Sequence, residues 1–299
     1  MADVWTLTYP GVSYSWGTAA LGVMDRAGAP PDVGAVELRT DDADVPRGDG
    51  RRFGNDYRGG QTITFDLLVL GADEAQARDR EAELRRVWRG DAIRTTPGAV
   101  AELRANLGGR QRVAYGRPRR FAPAGKDTQH GVSRVVCDFA AVDDLWYDPV
   151  QEQVTVALVP PPSGGLTAPL TTPLTTVPAG AGPGAIVVGG SLPVWPVITL
   201  RAATGTLTNP VVQVTSLWTL ALTATVLPGQ SITVDTRPWR RTVLRQDGAS
   251  FAGALTPRTG VRLADAKVPP GTWEVVLRGQ DVSGTATMKF AWQKTYAGL

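Results

Sequence analysis

Between Gln153 and Val234 the only charged residue is Arg201. Within that stretch, VPPPSGGLTAPLTTPLTTVPAGAGPGAIVVGG is built from Pro, Gly, Thr and small apolar residues. Proline lacks the N–H that a helix interior or a central strand requires, so frequent prolines bar both. An extended, partly polyproline-like connector is therefore expected over residues 150–193, with a domain on either side of it. Floppy linkers are usually polar or charged and this one is neither. It is accordingly expected to pack on a neighbouring domain or subunit.

The C-terminal flank, residues 194–299, reads as strands throughout. PVITLRA, PVVQVTS, TLALTATVLPG, SITVDT, RTVLRQ, TWEVVLRG and TATMKFAWQKT are separated by Gly, Pro, Asn or Asp turn signals at short, regular spacing. In the last of these, Ala286, Met288, Phe290 and Trp292 alternate with Thr287, Lys289 and Gln293, the pattern of an antiparallel strand with one wet face. A β-sandwich follows.

The N-terminal flank, residues 1–149, holds most of the charge. Strands are expected at Ala35–Arg39, Gln61–Leu70, Arg112–Tyr115 and Arg134–Val142. The clearest is the second, where Ile63, Phe65, Leu67 and Val69 alternate with Thr62, Thr64, Asp66 and Leu68. A single helix stands out over 73–89. Asp73 can cap it with Gln76 as capping-box partner, acidic residues crowd its first half, and Arg85, Arg86 and Arg89 its last turn. Ala77, Leu84, Val87 and Trp88 form a narrow apolar stripe, and Gly90 is a natural stop. The flank is thus a β-barrel or β-sandwich domain with one α-helix laid against it, and the whole chain is mainly β. The 34 Gly and 23 Pro suit many short strands joined by turns.

With 31 basic and 28 acidic residues, the charge is too balanced for non-specific nucleic-acid binding by the whole molecule. The single cysteine, Cys137, permits no intramolecular disulfide and lies in an apolar run, where it reads as a small buried residue. The N-terminus MADVWTLTYPG shows no basic n-region and no apolar h-region, so no signal peptide is expected.

Candidate chemistry is sparse. The only histidine, His130, sits in a glycine-flanked loop without a nucleophile-elbow motif, so a surface role is favoured over a catalytic one. Asp143 and Asp144, beside Trp146 and Tyr147, are the best carboxylate pair for a hydrolase. Neighbours on a strand point to opposite faces, however, and would not converge on one bond. DDADVPRGDG (41–50) lacks the alternating ligands of a calcium loop and reads as a solvated loop. GAGPGA (180–185) has a proline where a dinucleotide site needs a helix. Neither a metal, a cofactor nor a catalytic residue is therefore expected, and the chain does not read as an enzyme.

Two basic stretches remain. From Arg104 to Arg134 eight basic residues, including Arg112, Arg117, Arg119 and Arg120, stand against Glu102 and Asp127 alone. GRPRRFAPAGK within it is expected to be a turn-rich hairpin tip. Contacts between subunits, with Asp41, Asp42 and Asp44 as complementary acids, are favoured over a phosphate backbone. In SITVDTRPWRRTVLRQDGAS (231–250), Ile232 and Val234 share one face. RPWR turns the chain, and Arg241, Val243 and Arg245 alternate with Thr242, Leu244 and Gln246 on the return. That is a β-hairpin with a second turn at Asp247-Gly248. Its tip, Arg237, Trp239 and Arg240, is a candidate partner contact.

The order of these features resembles the siphophage distal tail protein (Dit) family, as found in phages of Actinobacteria. The resemblance rests on an N-terminal β-domain with one helix ending in DDLWYDP, the uncharged connector, and WPVITLRAATGTLTNPVVQVT. It continues through GQSITVDTRPWRRTVLRQDGAS, VPPGTWEVVLRG and SGTATMKFAWQKTY. It implies a galectin-like fold for the C-terminal sandwich and a structural role in the virion, at the tip of a long non-contractile tail. Such proteins form a ring, usually a hexamer, whose N-terminal domains surround a channel that DNA crosses without specific binding. The implied partners are the tail-tube protein, the tape-measure protein, the tail-associated hub or lysin, and receptor-binding proteins. The resemblance further implies synthesis in the host bacterial cytoplasm. A carbohydrate-binding module aiding adsorption, using Trp239 or Trp273, is the alternative. No galectin-type His-Asn-Arg-Trp set is discernible, and His130 lies outside the C-terminal domain.

Overall fold

The computed structural model describes residues 3–26, 30–36, 38–159, 184–256, 260–281 and 283–299, with the side chains of residues 125–128 left out. Most of the expected connector, residues 160–183, lies outside the described residues. The chain divides into two compact units, Met1–Pro149 with Tyr296–Leu299, and Val150–Thr295. It is mainly β, and the pairings between its described strands are antiparallel.

In the first unit the strands are β1 (Val4–Tyr9), β2 (Val12–Trp16), β3 (Val23–Asp25), β4 (Leu38–Thr40), β5 (Ala43–Asp44), β6 (Arg51–Arg52), β7 (Asp56–Arg58) and β8 (Thr62–Leu70). Helices α1 (Glu74–Arg89) and α2 (Asp91–Arg94) follow, then β9 (Ala101–Leu107), β10 (Arg110–Asp127), β11 (Val132–Ala141) and the start of β12 (Trp146–Ala157). The main sheet runs β2-β1-β9-β10-β11-β8-β3. Its two outermost strands are consecutive in sequence, and Gly17 N donates to Val23 O at 2.9 Å. A flat seven-stranded sheet would be roughly 29 Å wide, and residues 17–22 extended span at most about 20 Å. The sheet is therefore rolled, so that its two edges meet.

The alternation read in residues 62–70 decides which face turns inward. Ile63, Phe65, Leu67 and Val69 are fully buried. Across the ladder Phe139, Cys137 and Val135 stand opposite the first three. Helix α1 packs on the same face with Ala77, Leu84, Val87 and Trp88. Asp73 caps it, its side chain accepting from Gln76 N at 2.8 Å, while Gln76 Oε1 accepts from Ala72 N instead of closing the box on Asp73. Gly90, at φ 60°, ends it. One residue in the stripe is polar: Glu81, 8% exposed, accepts from Ser133 Oγ at 2.6 Å.

Three expectations change. The strand expected at Ala35–Arg39 is Leu38–Thr40, exposed and paired only with β7, because no apolar face holds it to the core. The expected tip GRPRRFAPAGK is strand interior. Residues 116–127 pair with β11, with register shifts between Pro118 and Phe121 and between Pro123 and Lys126. Bulges leave residues outside the ladder, which is how a strand accommodates proline. Asp143 and Asp144 lie in a bend, not on a strand, since β11 ends at Ala141.

Asp25, on β3, is held in a poor environment. Burial, and then the nearby Asp3 charge, push its carboxyl up to about 6, and its Oδ1 has no hydrogen-bond partner. A carboxyl raised in the folded state binds protons more tightly there than in the unfolded chain, so stability falls as pH rises from about 4 to about 6. Asp25→Asn should raise the thermal midpoint at pH 7. The gain should shrink to nothing near pH 4, and thermal unfolding across that range checks it.

The second unit is a sandwich. One sheet holds β14 (Val197–Arg201), β18 (Ser231–Asp235), β19 (Thr242–Arg245), β21 (Thr287–Tyr296) and the latter part of β12, in the order β19-β18-β14-β21-β12. The other holds β13 (Gly184–Val188), β15 (Leu207–Val214), β16 (Trp218–Ala221), β17 (Thr225–Val226) and β20 (Gly271–Gln280), in the order β13-β20-β15-β16, with β17 beside β15. Ile198, Val234, Met288 and Phe290 from the first sheet share a core with Ile186, Val212, Val275 and Leu277 from the second. The alternation of Ala286, Met288, Phe290 and Trp292 gives the buried face, none of them more than 5% exposed.

Candidate functional site

Among the described residues, those singled out from sequence lie at separate places in the fold, some buried and some exposed. His130 is exposed at the end of a 3-10 turn, Thr128–His130. Cys137 is fully buried, and burial raises its thiol pKa. Asp143 accepts from Tyr147 Oη at 2.6 Å and from Leu145 N at 3.2 Å. Burial pushes its carboxyl up to about 6. Asp144 accepts from Arg58 Nη1 at 2.8 Å. The two carboxyls therefore serve different partners. Among the described residues no group of three His, Cys, Asp or Glu side chains is gathered as for a metal ion.

The basic segment separates into structural and free arginines. Arg134, on β11, makes a two-pronged pair with Asp66, Nε to Oδ1 at 2.7 Å and Nη2 to Oδ2 at 2.8 Å. Its two bonds, with help from Arg26, hold the Asp66 carboxyl below the usual carboxylate range despite partial burial. Arg104 pairs with Glu102 at 2.7 Å. Arg112 stacks 3.6 Å above the Tyr296 ring. Arg117 donates to three backbone carbonyls: Ala99 O at 2.7 Å, Thr96 O at 2.6 Å and Arg94 O at 3.3 Å. Its guanidinium thus ties the loop after α2 to β10. Arg119 and Arg120 remain exposed on the same strand.

The Arg117 arrangement sets a prediction. The three carbonyls are reached from three different nitrogens of one planar fork, a spread that the single nitrogen of lysine's ammonium does not have. Arg117→Lys should cost about 2 kcal/mol, nearly as much as Arg117→Ala. Urea unfolding of the two variants checks this; full rescue by lysine would show that charge alone matters.

The acidic residues 41–44 belong to a hairpin arm, β4 to β7. Asp42 accepts from Gly54 N at 3.1 Å, and Arg51 lies 3.7 Å from Asp42 and 3.5 Å from Asp44. Asp41 and Asp44 are exposed.

The segment 231–250 is the hairpin its alternation predicts, Val234 opposite Val243 and Ile232 opposite Arg245. Gly248, at φ 82°, forms the second turn, its N–H donating to Arg245 O at 2.9 Å. The first turn folds back on itself. Asp235, 4% exposed, accepts from Arg237 N, Nε and Nη2 at 3.1, 2.9 and 2.6 Å. The same guanidinium lies 5.3 Å from the Trp239 ring centroid. Trp239 is only 9% exposed, which leaves Arg240 as the open side chain of the tip. Trp273 is half-buried and donates to Pro269 O at 2.8 Å. A cleft of about 660 Å³, which the sequence did not reveal, lies between Leu227–Gln230 and Arg245–Asp247, with Phe251 on its wall. Arg245 occupies one side of that ring at 4.3 Å.

No family model matches the chain, and no curated protein matches it. Solved structures do. The SPP1 Dit protein (gp 19.1), a paradigm of the hub adsorption apparatus in phages infecting Gram-positive bacteria, is 13% identical with a TM-score of 0.60, over 97% of this chain and 98% of that one. A chain of the phage P2 baseplate in its activated conformation with Ca is 11% identical with a TM-score of 0.56, over 100% of both chains. Its counterpart with Sr is 10% identical with a TM-score of 0.54, over 97% and 98%. The chain has the fold of the phage distal tail (Dit) proteins over nearly its whole length, as the ordered strands of its sequence implied.

Proposed function

We propose that this chain is the distal tail protein of a long-tailed, non-contractile phage. It forms a ring, hexameric in this reading, in which first units surround a channel for DNA and second units face outward. The ring joins the tail tube to the tip or baseplate and receives the tape-measure, hub and receptor-binding proteins. The observation that carries this reading is the coverage: both units together match a single Dit chain from end to end. The surfaces are compatible with it. Arginines that the fold leaves open (Arg119, Arg120, Arg240) and acids at the arm (Asp41, Asp44) supply charged contacts of both signs, which orient protein partners more than they bind nucleic acid. The role is structural and not enzymatic, in keeping with the separate engagement of Asp143 and Asp144.

Negative-stain imaging and sedimentation of the purified chain, alone and with tail fractions, test the proposal. Six-fold rings, and antibody labelling at the tail tip of virions, are expected. A protein that stays monomeric in every condition and never enters virions overturns it.

A further inference from the structure

The cleft of the second unit opens where its two sheets part. β17, of one sheet, hands the chain to β18, of the other, through the turn Leu227–Gln230, and the turn after β19 forms the opposite wall. Its floor is the sandwich core, where Val226 and Ile232 are buried. Both walls are pinned through their backbone. Gly229 N donates to Ala202 O at 2.9 Å and Gln230 N to Leu227 O at 3.0 Å; Gly248 N donates to Arg245 O at 2.9 Å and Arg245 N to Ala249 O at 3.0 Å. The cleft is therefore preformed, and at about 660 Å³ it falls within the roughly 300 to 1,000 Å³ of small-ligand sites.

The polar side chains around it are ones that the fold leaves unbonded. Arg245 lies 4.3 Å from the Phe251 ring centroid and, among the described residues, pairs with no carboxylate. Asp247 Oδ1 accepts from Ala249 N at 3.0 Å, which leaves Oδ2 open. The amides of Gln230 and Gln246 are exposed and bond to no other described residue. Beside them Leu227, a large apolar side chain on the rim, is 51% exposed.

We propose that this cleft binds a neutral saccharide built of hexose units. A sugar hydroxyl both donates and accepts, while the C–H face of the ring is apolar. The cleft meets each need: Arg245 only donates, Asp247 only accepts, and the two glutamine amides do both. Leu227 and the wall of Phe251 supply the apolar surface. The same residues disfavour other occupants. An anion would meet the Asp247 carboxylate, and a cation the Arg245 guanidinium, in the same small space. A peptide added as a strand would need the outer edge of β19. That edge is taken, because Phe251 N donates to Val243 O at 2.8 Å and Arg245 N is held by Ala249. Neither Trp239 nor Trp273 lines the cleft, so the site differs from the tryptophan platform expected from sequence.

The inference goes beyond the tail-tip reading and does not depend on it, since the cleft lies within one second unit. Saturation-transfer NMR on the full chain, with maltose, cellobiose, lactose and N,N′-diacetylchitobiose as probes, should carry magnetisation to the ring protons of at least one of them. Arg245→Ala should weaken the affinity for that sugar about tenfold, the loss of one hydrogen bond to a charged group. Gln230→Ala should weaken it several-fold, and Trp239→Phe should leave it as in the wild type. No transfer to any of the probes overturns the proposal, and so does transfer that Arg245→Ala and Gln230→Ala leave unchanged. A chain that takes inorganic phosphate at Arg245 and none of the sugars overturns it in favour of an anion. If Arg245→Ala fails to fold by circular dichroism, Gln230→Ala, on an exposed turn, decides on its own.

Discussion

Phe65→Ala is expected to be the most damaging single truncation in the first unit, costing about 4 kcal/mol and broadening its near-ultraviolet circular dichroism. Phe65 is fully buried and meets three tryptophans edge to face: Trp5 at 5.0 Å, Trp16 at 5.2 Å and Trp88 at 6.1 Å. Large-to-small changes at such sites lose the transfer energy of the ring and leave a cavity, together about 3 to 5 kcal/mol. The edge-to-face contacts add to that. Because β1, β2, β8 and α1 each contribute one ring, no single element can shift to fill the space without pulling on the others. Guanidinium unfolding followed by tryptophan fluorescence measures the loss. A cost below about 1 kcal/mol, the level of an ordinary surface change, would mean that the cluster repacks freely and is not the keystone of the rolled sheet.

Gly116→Val should be comparably severe for a different reason. Gly116 sits on β10 opposite Ala141 on β11. A Cβ there would run into the Ala140 carbonyl oxygen and lie 2.7 Å from Ala141 Cα. The obstacle is backbone, which cannot rotate aside as a side chain would, so the two longest strands of the unit must part. Overpacking of this kind costs about 3 kcal/mol. Hydrogen exchange should show faster exchange at Ala141 and Val142, whose amides bond to Gln61 O and Tyr115 O. Retention of wild-type protection there would contradict the close approach.

How far these features could be read from the chain depends on the range of the interaction. The inward face of β8, the stripe and caps of α1, and the hairpin at 231–250 are governed by neighbours within a few residues, and all are visible as period-two or period-3.6 patterns. The arm from Leu38 to Arg58 is not. Its start reads as a strand at Ala35–Arg39 and residues 41–50 as a solvated loop, and no amphipathic period runs through it because its strands turn no face to their own core. Pro118 and Pro123 argued for a turn by local chemistry, but pairing with β11 continued the strand and placed its irregularities beside them. Trp239 looked like an open aromatic at a turn; the Asp235–Arg237 clamp folds that turn inward and buries the ring. Glu81 would count as solvent-facing on its helix, and only Ser133, far along the sequence, explains its burial.

What the sequence by itself determined is the β character of both flanks, the long helix with its stop at Gly90, and the side of each central strand that faces inward. Those follow from side-chain periodicity and backbone preference, which act over a turn or a strand. The tertiary structure alone decided that β2 and β3 close the sheet on itself, which arginines are consumed by carbonyls and carboxylates, and which remain open. Only it showed that the strands of the arm are exposed, with Phe53 82% exposed. These depend on contacts between residues tens of positions apart, and such contacts come into being only when the strands are in register.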